Sequence, residues 1–138
     1  MKTLLALVLG MAMLLFAATI YAEPDEICCT WVNMNYKSGG PPQKLIYHQD
    51  GTYHGYAKQD SKDAILSRTY SIIKKWKDSS GIIWYQIRWD GKLKESGYDL
   101  VKLSDNGSTL EYVTKKDECP KNINAQDPSY CKYSRKKP

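Results

Sequence analysis

Two histidines, four cysteines and a set of turn carboxylates are the residues of this chain whose types could do chemistry. His48 and His54 flank Asp50-Gly51. A two-residue turn there would set His48 opposite Tyr53 and put the histidines on opposite faces. A three-residue loop would pair His48 with Thr52 and place both on one face, diagonal and about 7 Å or more apart. Neither arrangement has a third ligand close in sequence, so no metal site is expected. The serines lie mostly in turns, and none sits in a nucleophile-elbow pattern. Asp50, Asp90 and Asp105 occupy positions where a short carboxylate stabilises a bend. A pair such as Glu95 and Asp99 leaves acid–base chemistry open on sequence alone. No residue pattern supports catalysis, so the expectation is a non-enzymatic protein with no cofactor.

The cysteines, Cys28, Cys29, Cys119 and Cys131, bear on compartment rather than catalysis. Lys2 followed by the apolar run Leu4 to Ala18 and by Ile20-Tyr21-Ala22 has the layout of a secretory signal peptide, residues 1–22. The run is short for a membrane span, which needs about 20 apolar residues. Residues 23–138 are then one domain in a periplasmic or secreted setting, with no transmembrane segment once the signal is cleaved. Four cysteines in such a domain favour two disulfides. Adjacent cysteines on a strand point to opposite faces, so Cys28 and Cys29 are each expected to reach one of Cys119 and Cys131. Each bond would close a loop of roughly a hundred residues and contribute on the order of 4 kcal/mol. Zinc is the rival reading, but adjacent cysteines are not a spacing that structural zinc favours.

The net charge of +5 is mild, and Lys132, Arg135, Lys136 and Lys137 concentrate part of it in the tail. Secretion and modest charge argue against a nucleic-acid partner. The aromatic inventory is more informative. The single Phe, Phe16, lies in the signal, while all four Trp and every Tyr but Tyr21 lie beyond it. Each ring offers an apolar face and a polar tip that needs a partner when buried. They could simply fill a small barrel. They could also line a cavity for a small hydrophobic or amphipathic ligand, with Tyr47, Tyr56, Tyr70, Trp84, Tyr85, Arg88 and Tyr98 as candidates. Arg88 stands among aromatics on a central strand and would suit a carboxylate. Asn106-Gly107-Ser108 matches a glycosylation acceptor but also explains itself as a turn.

These side chains need strands to position them. Ile82 to Trp89 is the most strand-like run, bounded by Ser79-Ser80-Gly81 and Asp90-Gly91. Ile83, Tyr85, Ile87 and Trp89 form its apolar face. Earlier strands are expected over Cys29–Tyr36, Gln43–His48, Thr52–Lys58 and Ser67–Lys77, the last with Tyr70, Ile72 and Trp76 on one face. Later ones follow over Tyr98–Leu103 and Thr109–Thr114. Gln59–Leu66 is the one place for a short helix, capped by Asp60 or Ser61. From about Lys115 the chain reads as an irregular tail tied down by its cysteines. The fold class is all-β: an antiparallel up-and-down meander of about seven to eight strands that curls into a small barrel.

Three segments carry a family resemblance. They are Thr30-Trp31-Val32-Asn33, then Lys44-Leu45-Ile46-Tyr47-His48-Gln49-Asp50-Gly51-Thr52-Tyr53, and Tyr98 to Ser104 before Asp105-Asn106-Gly107-Ser108-Thr109-Leu110. Together they resemble the small bacterial lipocalin-like domains of calycin type. Those begin with a Gly-x-Trp strand, carry an Asp-Gly hairpin and end with a strand-turn-strand of x-Leu-Ser-x-Asp-Gly type. Cys29 stands where the family has Gly, and Arg135 is the late candidate for the Arg that packs on the Trp. The resemblance implies a barrel that holds a small hydrophobic molecule. The alternative is a protein-interaction domain, such as an inhibitor of an extracellular hydrolase. Glu95-Ser96-Gly97-Tyr98 and Tyr112-Val113-Thr114-Lys115 distantly resemble the loop motifs of periplasmic lysozyme inhibitors.

Overall fold

The computed structural model describes residues 25–137; the expected signal, residues 1–22, lies outside them. Eight strands follow one another around a closed antiparallel barrel. They are β1 (Thr30–Val32), β2 (Lys44–Tyr47), β3 (Thr52–Tyr56), β4 (Leu66–Lys77), β5 (Ile83–Asp90), β6 (Ser96–Ser104), β7 (Thr109–Lys115) and β8 (Cys131–Arg135). β8 returns to pair with β1 and closes the barrel, while β4 beyond Tyr70 pairs with β5 alone. This architecture is consistent with the calycin type.

Alternation sets the two faces of each strand. Tyr85, Ile87 and Trp89 of β5 point inward against Val101, Asp99 and Gly97 of β6. Trp31, Leu45, Tyr47, Tyr53, Leu103, Leu110 and Tyr133 complete the packed interior, all at most 3 % exposed. Gly97 is glycine for a packing reason. A Cβ there would overlap Trp89 Cζ2, so the missing side chain makes room for the opposing indole.

Length divides the connections. At one end run the short turns, 48–51, 78–82 and 105–108. At the other run the long loops, 33–43, 57–65 and 116–130, with the 91–95 turn among them. The short-turn end is closed by residues 25–29. Ile27 is fully buried there, and its carbonyl accepts a hydrogen bond from Trp31 Nε1 at 3.0 Å. Tyr85 Oη donates to Asp25, and Lys75 Nζ reaches Glu26 at 2.5 Å. The Lys75 ammonium holds the Glu26 carboxyl down at about 2. Arg135 stands directly opposite Trp31 in the β1–β8 ladder.

Four expectations need correction. No helix forms at Gln59–Leu66; 57–65 is a loop, anchored where Lys44 Nζ donates to Gln59 O at 2.7 Å. The tail is not wholly irregular, because Cys131–Arg135 supplies the strand that closes the barrel. Tyr70, Ile72 and Trp76 do not share a face. A bulge between Ile72 and Lys74 reverses the alternation, so Trp76 points outward and Lys75 inward.

The disulfide-tied tail is overturned as well. All four cysteines are free thiols. Trp31 pairs with Arg135 and Tyr112 with Cys131. Cys29 thus lies about six residues along the barrel wall from Cys131, roughly 20 Å at 3.3 Å per residue. A disulfide needs Cα atoms within about 7 Å. The thiols find other neighbours. Cys28 Sγ lies 3.4 Å from Tyr70 Oη, Cys29 Sγ is 3.4 Å from Glu26 O, and Cys119 Sγ is 3.8 Å from Asp99 O. Burial pushes the Cys29, Cys119 and Cys131 thiols up.

Candidate functional site

The inward face of β4 runs Leu66, Arg68, Tyr70, opposite Gly55, Tyr53 and Trp89 of the flanking strands. Arg68 is therefore directed into the barrel by the same alternation that buries its neighbours. Its guanidinium carbon lies 3.7 Å from the centre of the Trp89 ring, and Nη1 donates to Tyr53 Oη at 3.1 Å. Trp89 Nε1 in turn donates to Asp99 Oδ1 at 3.1 Å. Asp99 is 4 % exposed, and burial pushes its carboxyl up to about 6, against the opposing pull of the Thr114 and Trp89 hydrogen bonds and the Arg68 charge.

Arg68 borders a small interior cavity and two recesses outside it, one of them on the outer face beside His54 and Asp90. Inside it is a cavity of about 50 Å³ lined by residues including Tyr47, Tyr53, Asp99 and Thr114. That volume suits one or two waters, not an organic cargo. Outside it a recess of about 390 Å³ opens at the long-loop end, lined by Trp89, Leu93, Lys94, Glu95, Ser96, Lys116 and Asp117. Arg68 takes part in none of the ion pairs among the described residues. A guanidinium carries five donors. Among the described residues, Tyr53 Oη is its one side-chain acceptor.

The rim of this end is unusual in its apolar content. Leu93 in the 91–95 turn is 98 % exposed, Ile65 in the 57–65 loop 62 %, and Met34 in the 33–43 loop 73 %. Leu93 and Lys94 both adopt positive φ, 56° and 61°, a region where non-glycine side chains are strained.

The sequence-level candidates divide between the faces. Tyr47, Tyr70 and Tyr85 point inward and act as packing. Tyr47 stacks on Tyr53 at 5.0 Å, Tyr70 donates to His48 O at 2.7 Å, and Tyr85 holds the closing segment. Tyr56, Trp84, Arg88 and Tyr98 lie on the outer face, so the seven do not line one cavity. Arg88 is half-exposed, pairs with Asp90 at 3.7 Å and lies over Tyr98. The inward arginine is Arg68, which sequence reasoning passed over. The apolar alternation from Leu66 to Tyr70 was the signal that could have found it.

The β2–β3 connection is the three-residue form, with His48 N donating to Thr52 O at 2.8 Å. His48 and His54 therefore share the outer face, their rings 5.3 Å apart. No group of three or more metal-ligating side chains gathers among the described residues. No helix among them is long and apolar enough to cross a membrane, which says nothing of strands. Comparison with known proteins gives no matching family model, no similar curated protein and no similar solved structure.

Proposed function

We propose that this chain is a non-enzymatic, extracytoplasmic protein-binding barrel whose long-loop end docks a partner protein through a carboxylate that reaches Arg68. The observation that carries the reading is Arg68 itself. It is oriented by Trp89 and Tyr53, free of any ion pair among the described residues, and open to the 390 Å³ recess. A planar guanidinium held in this way is pre-organised for bidentate capture of a carboxylate. Lys94 and Lys116 line the same recess and outnumber, together with Arg68, the carboxylates of Glu95 and Asp117. Met34, Ile65 and Leu93 supply apolar anchors around that centre, as an interface core requires. The cavity inside Arg68, about 50 Å³, is too small for the swallowed hydrophobic ligand that the lipocalin-like resemblance implies. The signal-like segment supports an extracytoplasmic setting, where hydrolases with acidic clefts are partners of the required chemistry.

The test is binding of the mature protein to a panel of purified muralytic and proteolytic enzymes, read by interferometry. Saturable binding to at least one member is expected, weakened more than tenfold by Arg68→Ala and by Leu93→Asp. Binding that ignores both substitutions, or none across the panel, would overturn the proposal.

A further inference from the structure

A second surface lies on the outside of the barrel. Trp76 of β4 and Trp84 of β5 stand opposite each other in register, with rings 6.0 Å apart and 7° from parallel. Lys74 Nζ lies 5.0 Å from the Trp76 ring, and Lys102 Nζ 5.9 Å from the Trp84 ring. The result is a cation–ring–ring–cation ladder across three strands. Trp84 is pinned further, because its Nε1 donates to Asp78 at 2.9 Å. The bulge in β4 makes this ladder possible, since it turns Trp76 to the outside.

The segment Cys119-Pro120-Lys121 crosses the same outer face and forms the facing wall. Between it and the ladder runs a groove of about 520 Å³, with Gln86 and Leu100 also lining it. Leu100 points outward yet is 2 % exposed. Among the described residues, no carboxylate lines the groove. Lys74 and Lys121 line it directly and join no ion pair among the described residues, while Lys102 at its margin is shared with Glu111 at 3.2 Å.

We infer that this groove binds an amphipathic organic anion: a ring-sized apolar body carrying one or two acidic groups. The volume falls in the range of small-molecule sites, about 300–1,000 Å³. The apolar portion meets the rings of Trp76 and Trp84, over a floor closed by the buried Leu100 and Pro120, and the acid meets Lys74 and Lys121. A neutral hydrophobe would desolvate these ammonium groups without compensation. An inorganic anion would leave the apolar walls unused. The groove is separate from the long-loop recess, so this inference stands independently of the proposed protein partner.

Titration with 8-anilinonaphthalene-1-sulfonate tests it. The mature protein is expected to bind one equivalent saturably, with energy transfer from tryptophan. Combining Lys74→Glu with Lys121→Glu should weaken binding at least fivefold. The same charge change at exposed loop positions, Lys37→Glu with Lys62→Glu, should alter it less than twofold. Cys119 lines the groove, so saturating probe should slow its alkylation by iodoacetamide at least threefold in the unmutated protein while leaving Cys29 unaffected. Absence of saturable binding, equal weakening by both double variants, or an unprotected Cys119 would overturn the inference.

Discussion

Asp99 couples the stability of the barrel to pH. Its carboxyl is raised by burial from an ordinary 3.8 to about 6 in the folded barrel. The folded state therefore holds the proton more tightly than the unfolded chain. The stability from this group is fully present below about pH 4 and is lost as pH rises through about 6. The change is on the order of 3 kcal/mol. Asp99→Asn should stabilise the protein above pH 7 and flatten the dependence between pH 4 and 7. Urea midpoints at four pH values would check this, and an unchanged slope in the variant would assign the effect elsewhere. Glu26 acts in the opposite sense in a lower window. Its lowered carboxyl contributes stability above its ordinary value of 4.5 that is lost as pH falls toward about 2. Arg88 and Arg68 show what was readable at this scale. The sequence signals an arginine among aromatics, but which arginine faces inward depends on register, and register rests on pairing partners far along the chain.

At the scale of elements, most strands were legible because local chemistry marks them. Asp50-Gly51 and Asp105-Asn106-Gly107 turn where expected, with Gly51 and Gly107 at positive φ. β5 keeps its apolar face as read, and Tyr85, Ile87 and Trp89 are buried. β8 and the β4 bulge were not legible. β8 is short and follows a proline-containing loop, and it becomes a strand only because β7 and β1 offer it ladders on both sides. The bulge reverses the face of Trp76 without any glycine to announce it. Two substitutions test the element-scale account. Gly97→Ala should cost about 1–3 kcal/mol by pushing a methyl into the Trp89 indole, measured by chemical denaturation. Replacing Leu93-Lys94 by Asn-Gly should raise stability by about 1 kcal/mol, because those residues accept the positive φ that Leu and Lys resist. The same change should weaken partner binding, and a turn that relaxes without that loss would detach the strain from function.

For the molecule as a whole, closure and filling decide what the barrel can do. The ladder closes from β1 round to β8, and aromatic side chains occupy the interior. The cysteines are free, Cys29 and Cys131 roughly 20 Å apart, so the strands are held by their ladders and core and not by cross-links. Four thiols per chain should react with Ellman's reagent after denaturation without reductant, whereas fewer would restore a cross-linked barrel. The proposed recognition falls to the rim and the outer wall. Native mass spectrometry on protein recovered from its own compartment tests that claim most directly. The expected result is a barrel free of neutral lipophilic cargo and a one-to-one complex with a second protein that Arg68→Ala weakens more than tenfold. A barrel carrying a neutral lipophile and no partner would contradict it.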